Sequence, residues 1–136
     1  MSQRIFQSRS VLIIISAAGA AILTRLFLFV FPSAGGSPIL GLHIHHSLIG
    51  ILLVCMGGIP AALLQSEKLL RSLAVVVFGV GLGLSLDEWL LFVLREAVPS
   101  TPYMSPWSVA GAAIFVSLVV VYTLIVGRFA EAPKKQ

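Results

Sequence analysis

The sequence predicts an all-α membrane protein, a four-transmembrane-helix bundle that occupies residues 1–136 as a single domain with both termini cytoplasmic. Three observations lead to this fold class: 58% of the 136 residues are hydrophobic, only 10% are charged, and apolar runs of helix-spanning length recur along the chain. A soluble domain would carry roughly 25% charged residues. The composition therefore excludes a soluble enzyme and a disordered tail, and a single cysteine excludes a disulfide scaffold.

Four stretches are long and apolar enough to cross a bilayer core, which requires roughly 20 helical residues. We predict helices over residues 10–31, 38–58 with an end as late as 65 left open, 72–94 and 108–127. Short polar or Gly- and Pro-rich connections separate them, and no room remains for a separate soluble domain. The fourth helix has Tyr103 and Trp107 at its start, where aromatic rings prefer the headgroup level.

The second helix is expected to begin at Ser37 and Pro38, because a Ser hydroxyl caps free N–H groups and Pro fits the first helical turn. This start would place the histidine run 43–46 about 8–12 Å inside the helix at 1.5 Å per residue. Gly57, Gly58 and Pro60 should bend or end the helix at its other end.

The basic residues predict the orientation. Seven of them fall on the side that holds both termini and the middle turn, whereas Arg95 falls on the other; the seven are Arg4, Arg9, Lys68, Arg71, Arg128, Lys134 and Lys135. Basic residues concentrate on the cytoplasmic side of membrane proteins. The net charge of +4 therefore reflects basic residues placed on the cytoplasmic side of the membrane. We expect no nucleic-acid partner. We expect a multi-pass protein of a bacterial or archaeal cytoplasmic membrane, with the lipid bilayer as partner and homo-oligomerisation left open.

Three charged residues lie within the predicted helices, and all three fall in one outer layer. Arg25 lies six residues below the outer end of the first helix, and Asp87 and Glu88 lie seven and six residues below that of the third. This depth of about 9–11 Å is also that of the histidine run. A charge in the bilayer core costs about 2.5–3.5 kcal/mol, and such groups normally face the bundle interior, where they are paired or functional.

Histidine and carboxylate side chains together predict a divalent-metal site, with Zn²⁺ as the first choice and Fe²⁺ or Mn²⁺ as alternatives. The candidate ligands are His43, His45, His46, Asp87 and Glu88. On a regular helix His43 and His46 share a face, while His45 points away from His43. Two arrangements stay open: His43 and His46 bind the metal with an acid and leave His45 outside that set, or Gly41 unwinds the helix locally. Arg25 would balance the remaining carboxylate or hold an anionic substrate.

The run Gly79-Val80-Gly81-Leu82-Gly83 precedes the acidic pair. Glycines at this spacing let a neighbouring helix approach closely, which would bring the histidine helix near Asp87 and Glu88. Gly81 lies on the opposite side of the helix from Gly79 and Gly83.

Two short motifs resemble a known family. His43-Ile44-His45-His46 and Gly81-Leu82-Gly83-Leu84-Ser85-Leu86-Asp87-Glu88-Trp89 are similar to the H-x-H-H and G-L-x-L-D-E elements of a family of small multi-pass bacterial membrane proteins, functionally uncharacterised. The resemblance covers the second and third helices. It implies that the histidines and the acidic pair belong to one site, and it names no reaction.

Three functions remain open. The leading hypothesis is a His/carboxylate metal site that hydrolyses a membrane substrate, with Glu88 or Asp87 as general base and Arg25 as the third candidate catalytic residue. The first alternative is a transport element in which the same residues handle protons or cations. The second is a non-catalytic structural subunit whose charge pairs fix the helix packing. The sequence leaves open whether the protein is an enzyme.

Overall fold

The structure, a computed structural model, describes residues 9–31, 45–64, 67–97 and 103–131. These residues form four helices: α1 (Arg9–Val30), α2 (His46–Leu63), α3 (Lys68–Ala97) and α4 (Pro106–Glu131). Each is long and apolar enough to cross a membrane. The predicted fold class is therefore confirmed in its four helices, while the cytoplasmic location of the termini stays a prediction.

The second helix begins at His46, and the prediction that it would already include His45 is wrong. His45 has an extended backbone, with φ −70° and ψ 137°, and precedes the first helical residue. The expected start at Pro38 lies outside the described residues. At the other end the helix continues through Gly57 and Pro60 to Leu63, within the range left open, so these residues do not end it where they occur.

The third and fourth helices extend slightly beyond their predicted ends, whereas the first begins and ends one residue earlier than predicted. The third begins at Lys68 and reaches Ala97, and the fourth begins at Pro106 and reaches Glu131. The start of α4 has a local cause, because Ser105 Oγ accepts a hydrogen bond of 3.2 Å from the Ser108 N–H. A Ser cap followed by Pro in the first helical turn is a favoured helix start.

Helix α3 is the centre of the bundle. It packs against α1, α2 and α4, and α1 also contacts α4. Its apolar span is 28% buried, whereas those of α1 and α4 are 11% buried. The ends of α1 and α3 and the beginnings of α2 and α4 lie together, and we call this the histidine end of the bundle because His45 and His46 lie there.

Two faces of α3 carry glycines that contact different neighbours. Gly83 is packed against the Ala17 carbonyl of α1, whereas Gly81 faces α2. A Cβ placed on Gly81 would lie 2.5 Å from Val54 N and 2.6 Å from Gly50 O, closer than a methyl group can approach a neighbouring backbone. The helices on both sides of α3 thus approach its backbone directly, as small residues permit in membrane proteins.

The outward faces of the helices are apolar. Large side chains such as Ile22 and Leu23 of α1, Leu63 of α2 and Ile114 of α4 are more than half exposed. In a bilayer these faces contact lipid, which is consistent with an integral membrane protein.

Gly81→Ala is expected to destabilise the fold by about 1–3 kcal/mol, the usual cost of overpacking, because the added methyl group overlaps the α2 backbone. The measurement is the free energy of unfolding in detergent micelles.

Gly19→Ala in α1 is the matched control, since nothing lies within 4 Å of a Cβ placed there. It should change the stability by less than about 0.5 kcal/mol or raise it slightly. Equal losses for both variants would show that α2 does not approach α3 at Gly81.

Candidate functional site

Polar side chains from all four helices or their caps meet at the histidine end. We call this group the polar cluster, and its members are Arg25, His45, His46, Ser47, Asp87, Glu88, Tyr103 and Ser108. Asp87 and Ser108 are the largest fully buried side chains among the described residues. The structure thus brings together five of the six predicted site residues, and the sixth, His43, lies outside the described residues.

Arg25 and Asp87 form the ion pair that connects α1 with α3. Arg25 Nε donates to Asp87 Oδ1, and Nη2 donates to the Asp87 carbonyl over 3.0 Å. The same Nη2 reaches Ser108 of α4, with 3.2 Å to its carbonyl oxygen and 3.3 Å to its hydroxyl. One guanidinium group therefore connects α1, α3 and α4. It can do so because its N–H donors point in several fixed directions.

Tyr103 closes the cluster from the segment that precedes α4. Its hydroxyl donates to Asp87 Oδ2, and the Arg25 guanidinium carbon lies 4.8 Å from the centre of its ring. Arginine above an aromatic face is a favourable cation–π arrangement. Asp87 is therefore held through both oxygens, Oδ1 by Arg25 and Oδ2 by Tyr103.

Glu88 holds the first turn of α2. Its Oε2 accepts the Ser47 N–H over 3.2 Å, and this N–H is one of the groups that a helix start leaves without an intrahelical partner. The His45 side chain makes no cap hydrogen bond in this turn. A carboxylate near a helix N-terminus is also stabilised by the helix dipole. Glu88 of α3 therefore caps the first turn of α2. The sequence predicted a different cap, the hydroxyl of Ser37 next to an earlier helix start.

His46 lies between the two carboxylates. Its Nε2 is 3.3 Å from Asp87 Oδ2, and its Nδ1 is 3.4 Å from Glu88 Oε1. The ring also contacts Tyr103 edge to face, with 5.6 Å between the ring centres. Each nitrogen of one imidazole therefore faces a different acid.

His45 reaches the same acid as its neighbour. Its Nδ1 is 3.4 Å from Glu88 Oε1, the oxygen that His46 Nδ1 also faces. His45 and His46 can face the same acid because His45 precedes the helix and has an extended backbone. The predicted separation of His45 from His43 is not tested, since His43 lies outside the described residues. The side chains of His45 and His46 are 31% and 20% exposed, against 6% for Glu88 and 0% for Asp87.

The predicted metal site is not assembled from the described histidines and acids. Among residues 9–31, 45–64, 67–97 and 103–131, no group of three or more His, Cys, Asp or Glu side chains is arranged to hold a metal ion. The ligand pair of His43 and His46 is not tested, since His43 is not described. Metal binding and the catalytic roles of Arg25, Asp87 and Glu88 stay predictions.

Sequence reasoning missed Tyr103 and Ser108. Tyr103 was expected to be an interfacial aromatic residue. In the structure it lies in the turn before α4, and its hydroxyl donates to Asp87 Oδ2. Ser108 stood in the sequence only as the first residue of the predicted fourth helix. No pattern in the sequence distinguishes either residue from other polar residues near a helix end.

The chain has no match among protein families, curated proteins or solved structures. The function is therefore argued from the polar cluster alone.

A double-mutant cycle tests the Arg25–Asp87 pair. Arg25→Met or Asp87→Asn alone is expected to cost about 3–5 kcal/mol of stability, because each leaves one buried charge without its partner. The double variant should cost less than the sum of the two, since both charges are then absent. The measurement is the free energy of unfolding in detergent.

Arg9→Met is the control for this cycle, because Arg9 is an exposed arginine of the same helix. It should change the stability by less than about 0.5 kcal/mol. Additive losses in the double variant would show that the pair contributes no coupling energy.

Proposed function

We propose that this protein binds one proton at its histidine end and responds to its gain and loss. The observation that carries the proposal is the position of His46, which has Asp87 Oδ2 at 3.3 Å from one ring nitrogen and Glu88 Oε1 at 3.4 Å from the other. Of the three functions that the sequence left open, this proposal corresponds to the one in which these residues handle protons. It differs in that protons reach the site from one side of the membrane only.

The hydrogen-bonding capacity of imidazole supports a bound proton. A neutral imidazole has one N–H, so one of its nitrogens would direct a lone pair at a carboxylate oxygen. The protonated ring donates from both nitrogens. A protonated His46 donates from Nε2 to Asp87 Oδ2 and carries its positive charge 3.4 Å from Glu88 Oε1, whereas either neutral tautomer directs a lone pair at one carboxylate oxygen.

The charge balance of the polar cluster supports the same conclusion. Arg25 contributes one positive charge, and Asp87 and Glu88 contribute two negative charges, so one negative charge stays in excess. An uncompensated charge in the bilayer core costs about 2.5–3.5 kcal/mol. One proton on His46 makes the cluster neutral.

Several groups face this proton from the elements around it. Asp87 and Glu88 approach His46 from α3, and the Tyr103 hydroxyl lies 3.5 Å from His46 Nε2. Arg25 of α1 reaches Asp87, and His45 reaches Glu88. Since the two histidines are more exposed than the acids, the proton enters and leaves through them.

Protonation would act on the docking of α2. Glu88 holds both histidines and the Ser47 N–H, so loss of the proton places an unbalanced negative charge at the contact between α2 and α3. The proton therefore favours the docked first turn of α2, and its release weakens that contact. This couples proton occupancy to a helix position.

The site opens to one side of the membrane. From the polar cluster to the opposite end, the helix segments 10–24, 47–63, 72–86 and 107–127 contain no Asp, Glu, Lys, Arg or His. A pathway across the bilayer normally places polar groups at several depths. The cluster is therefore proposed as a proton-responsive site on the predicted outer side and not as a proton channel.

Nitrogen-15 NMR of protein labelled in its histidine rings tests the bound proton. We expect both ring nitrogens of His46 to carry protons, with the resonances assigned by their loss in His46→Gln. Glu88→Gln should convert His46 to a neutral ring, because the amide removes one negative charge and retains an oxygen for the Ser47 N–H.

His45→Gln is the control and should leave His46 protonated, because both acids stay in place. A neutral His46 in the unmodified protein would refute the proposal. So would a metal ion bound at one per chain and lost in His46→Ala, since a metal-bound nitrogen carries no proton.

Proton flux into liposomes tests one-sidedness. Vesicles that contain the protein are expected to acidify no faster than empty vesicles after a pH step, because segments 10–24, 47–63, 72–86 and 107–127 contain no Asp, Glu, Lys, Arg or His. An increase in flux that Asp87→Asn abolishes would instead support a transport pathway formed between copies of the chain.

A further inference from the structure

Basic side chains collect at the end of the bundle opposite the polar cluster, where α1 and α3 begin. Arg9 is the first residue of α1, and Lys68 and Arg71 lie in the first turn of α3. We call these three residues the basic patch. Arg9 and Lys68 are exposed and Arg71 is half-buried. None of the three forms an ion pair with a described residue.

The packing of α1 against α3 determines the height of each basic residue along the bundle. A Cβ placed on Gly79 would lie 3.0 Å from the Ile13 carbonyl oxygen, and Gly83, four residues later, is packed in the same way against the Ala17 carbonyl. A step of four residues on α3 therefore matches a step of four residues on α1, so the two helices run parallel. One such step back from Gly79 reaches the level of Arg9.

Arg9 and Arg71 lie on the faces by which α1 and α3 contact each other. Arg9 precedes Ile13 by four residues, and Arg71 precedes Gly79 by eight, which are spacings that keep residues on one face of a helix. Arg71 is one step of four residues further toward the end than Arg9, or about 6 Å along the axis at 1.5 Å per residue. Lys68 is three residues from Arg71 and adjoins it on the helix surface. Their long side chains can therefore reach one common anion.

The charge around the patch favours an anion. Neither α1 nor α3 has an acidic residue in its first turn. Glu67 precedes Lys68, but it is exposed and forms no ion pair with a described base. The positive ends of the two helix dipoles add to the positive charge. A phosphate group matches such a site, because its oxygens accept hydrogen bonds from several arginine and lysine donors.

The position of the patch identifies the source of that phosphate. The apolar spans of α1 and α3 begin at Arg9 and Lys68, so the patch lies where the hydrocarbon core meets the headgroups. Basic residues at the ends of membrane-spanning helices attract anionic headgroups, and basic sites between such helices bind them. A zwitterionic lipid balances its phosphate with its own ammonium group. An anionic phospholipid does not, so it gains more from the patch.

We propose that the basic patch binds the phosphate of an anionic phospholipid between the beginnings of α1 and α3. Arg9 and Arg71 donate to the phosphate from the two helices, and Lys68 adds positive charge. The proposal does not depend on the proton site, which lies at the other end of the same helices.

Electron spin resonance of nitroxide-labelled lipids tests this proposal in phosphatidylcholine vesicles that contain the full chain. Two probes with the same labelled acyl chain are compared, one phosphatidylglycerol and one phosphatidylcholine. The phosphatidylglycerol probe is expected to associate about tenfold more strongly, which is the effect of two basic residues near a charged lipid when salt screens part of their attraction.

Arg9→Gln and Arg71→Gln should each lower this preference about threefold, because each removes one of the two donors. Arg128→Gln is the matched control, since it removes the same charge from an exposed residue at the same end of the bundle. Gly127 is the α4 residue that contacts Ser10 of α1, and adjacent residues of a helix do not share a face. The control should therefore leave the preference nearly unchanged.

Circular dichroism and gel filtration check that the variants fold. Because Arg9 is exposed, its variant keeps the test decisive if Arg71→Gln alters the fold.

Equal association of the two probes with the unmodified protein would overturn the proposal, because no anionic headgroup would then be recognised. Equal losses in all three variants would overturn it as well, since the overall charge of that end would then account for the preference. If inorganic phosphate removed the preference and sodium chloride of the same ionic strength did not, the patch would be a site for free phosphate, and the assignment to a lipid would be wrong.

Discussion

The arrangement of this bundle depends on one constraint: charged groups in an apolar environment require partners inside the protein. Asp87 satisfies it by accepting from Arg25 on one oxygen and from Tyr103 on the other. Glu88 satisfies it through the two histidines and the Ser47 N–H. Since these partners come from α1, from the start of α2 and from the segment before α4, balancing two adjacent acids on α3 fixes the position of every other helix at this end.

The small residues of α3 make that balance geometrically attainable. Gly81 lets the α2 backbone approach, and Gly83 does the same for α1, so that short carboxylate side chains reach partners on both sides. A larger side chain at either position would move a neighbour outward and lengthen the contacts of Asp87 and Glu88. Close packing in the middle of the bundle and charge pairing at its end therefore depend on each other. The glycines determine the distances between the helices, and the ion pairs determine their relative positions along the bundle axis.

Those features that depend on local sequence could be predicted, and those that depend on contacts between distant residues could not. The four apolar runs determine the four helices, because length and hydropathy decide which segments cross a bilayer. The start of α2 could not be derived this way, because its cap is Glu88, forty-one residues further along the chain. The local rule of a Ser cap followed by Pro does hold at Ser105 and Pro106. The common depth of Arg25, Asp87 and the histidines was visible in the sequence, and so was a charge pair between Arg25 and one of the two acids. Which acid pairs with Arg25 and which faces the histidines was not visible, because this depends on where the extended His45 directs the chain.

Asp87 connects the packing of α1 and α4 with the proposed proton site. Its Oδ1 is held by Arg25, which also reaches Ser108 of α4, and its Oδ2 faces His46, which is proposed to hold the proton. Because both partners act on one carboxylate, a change at Arg25 alters the negative charge that His46 faces. Coupling between two sites is reciprocal at equilibrium, so the proton on His46 in turn affects how strongly Asp87 holds Arg25. The direct contacts of Arg25 with Asp87 and of Asp87 with His46 provide this coupling without any larger movement of the helices.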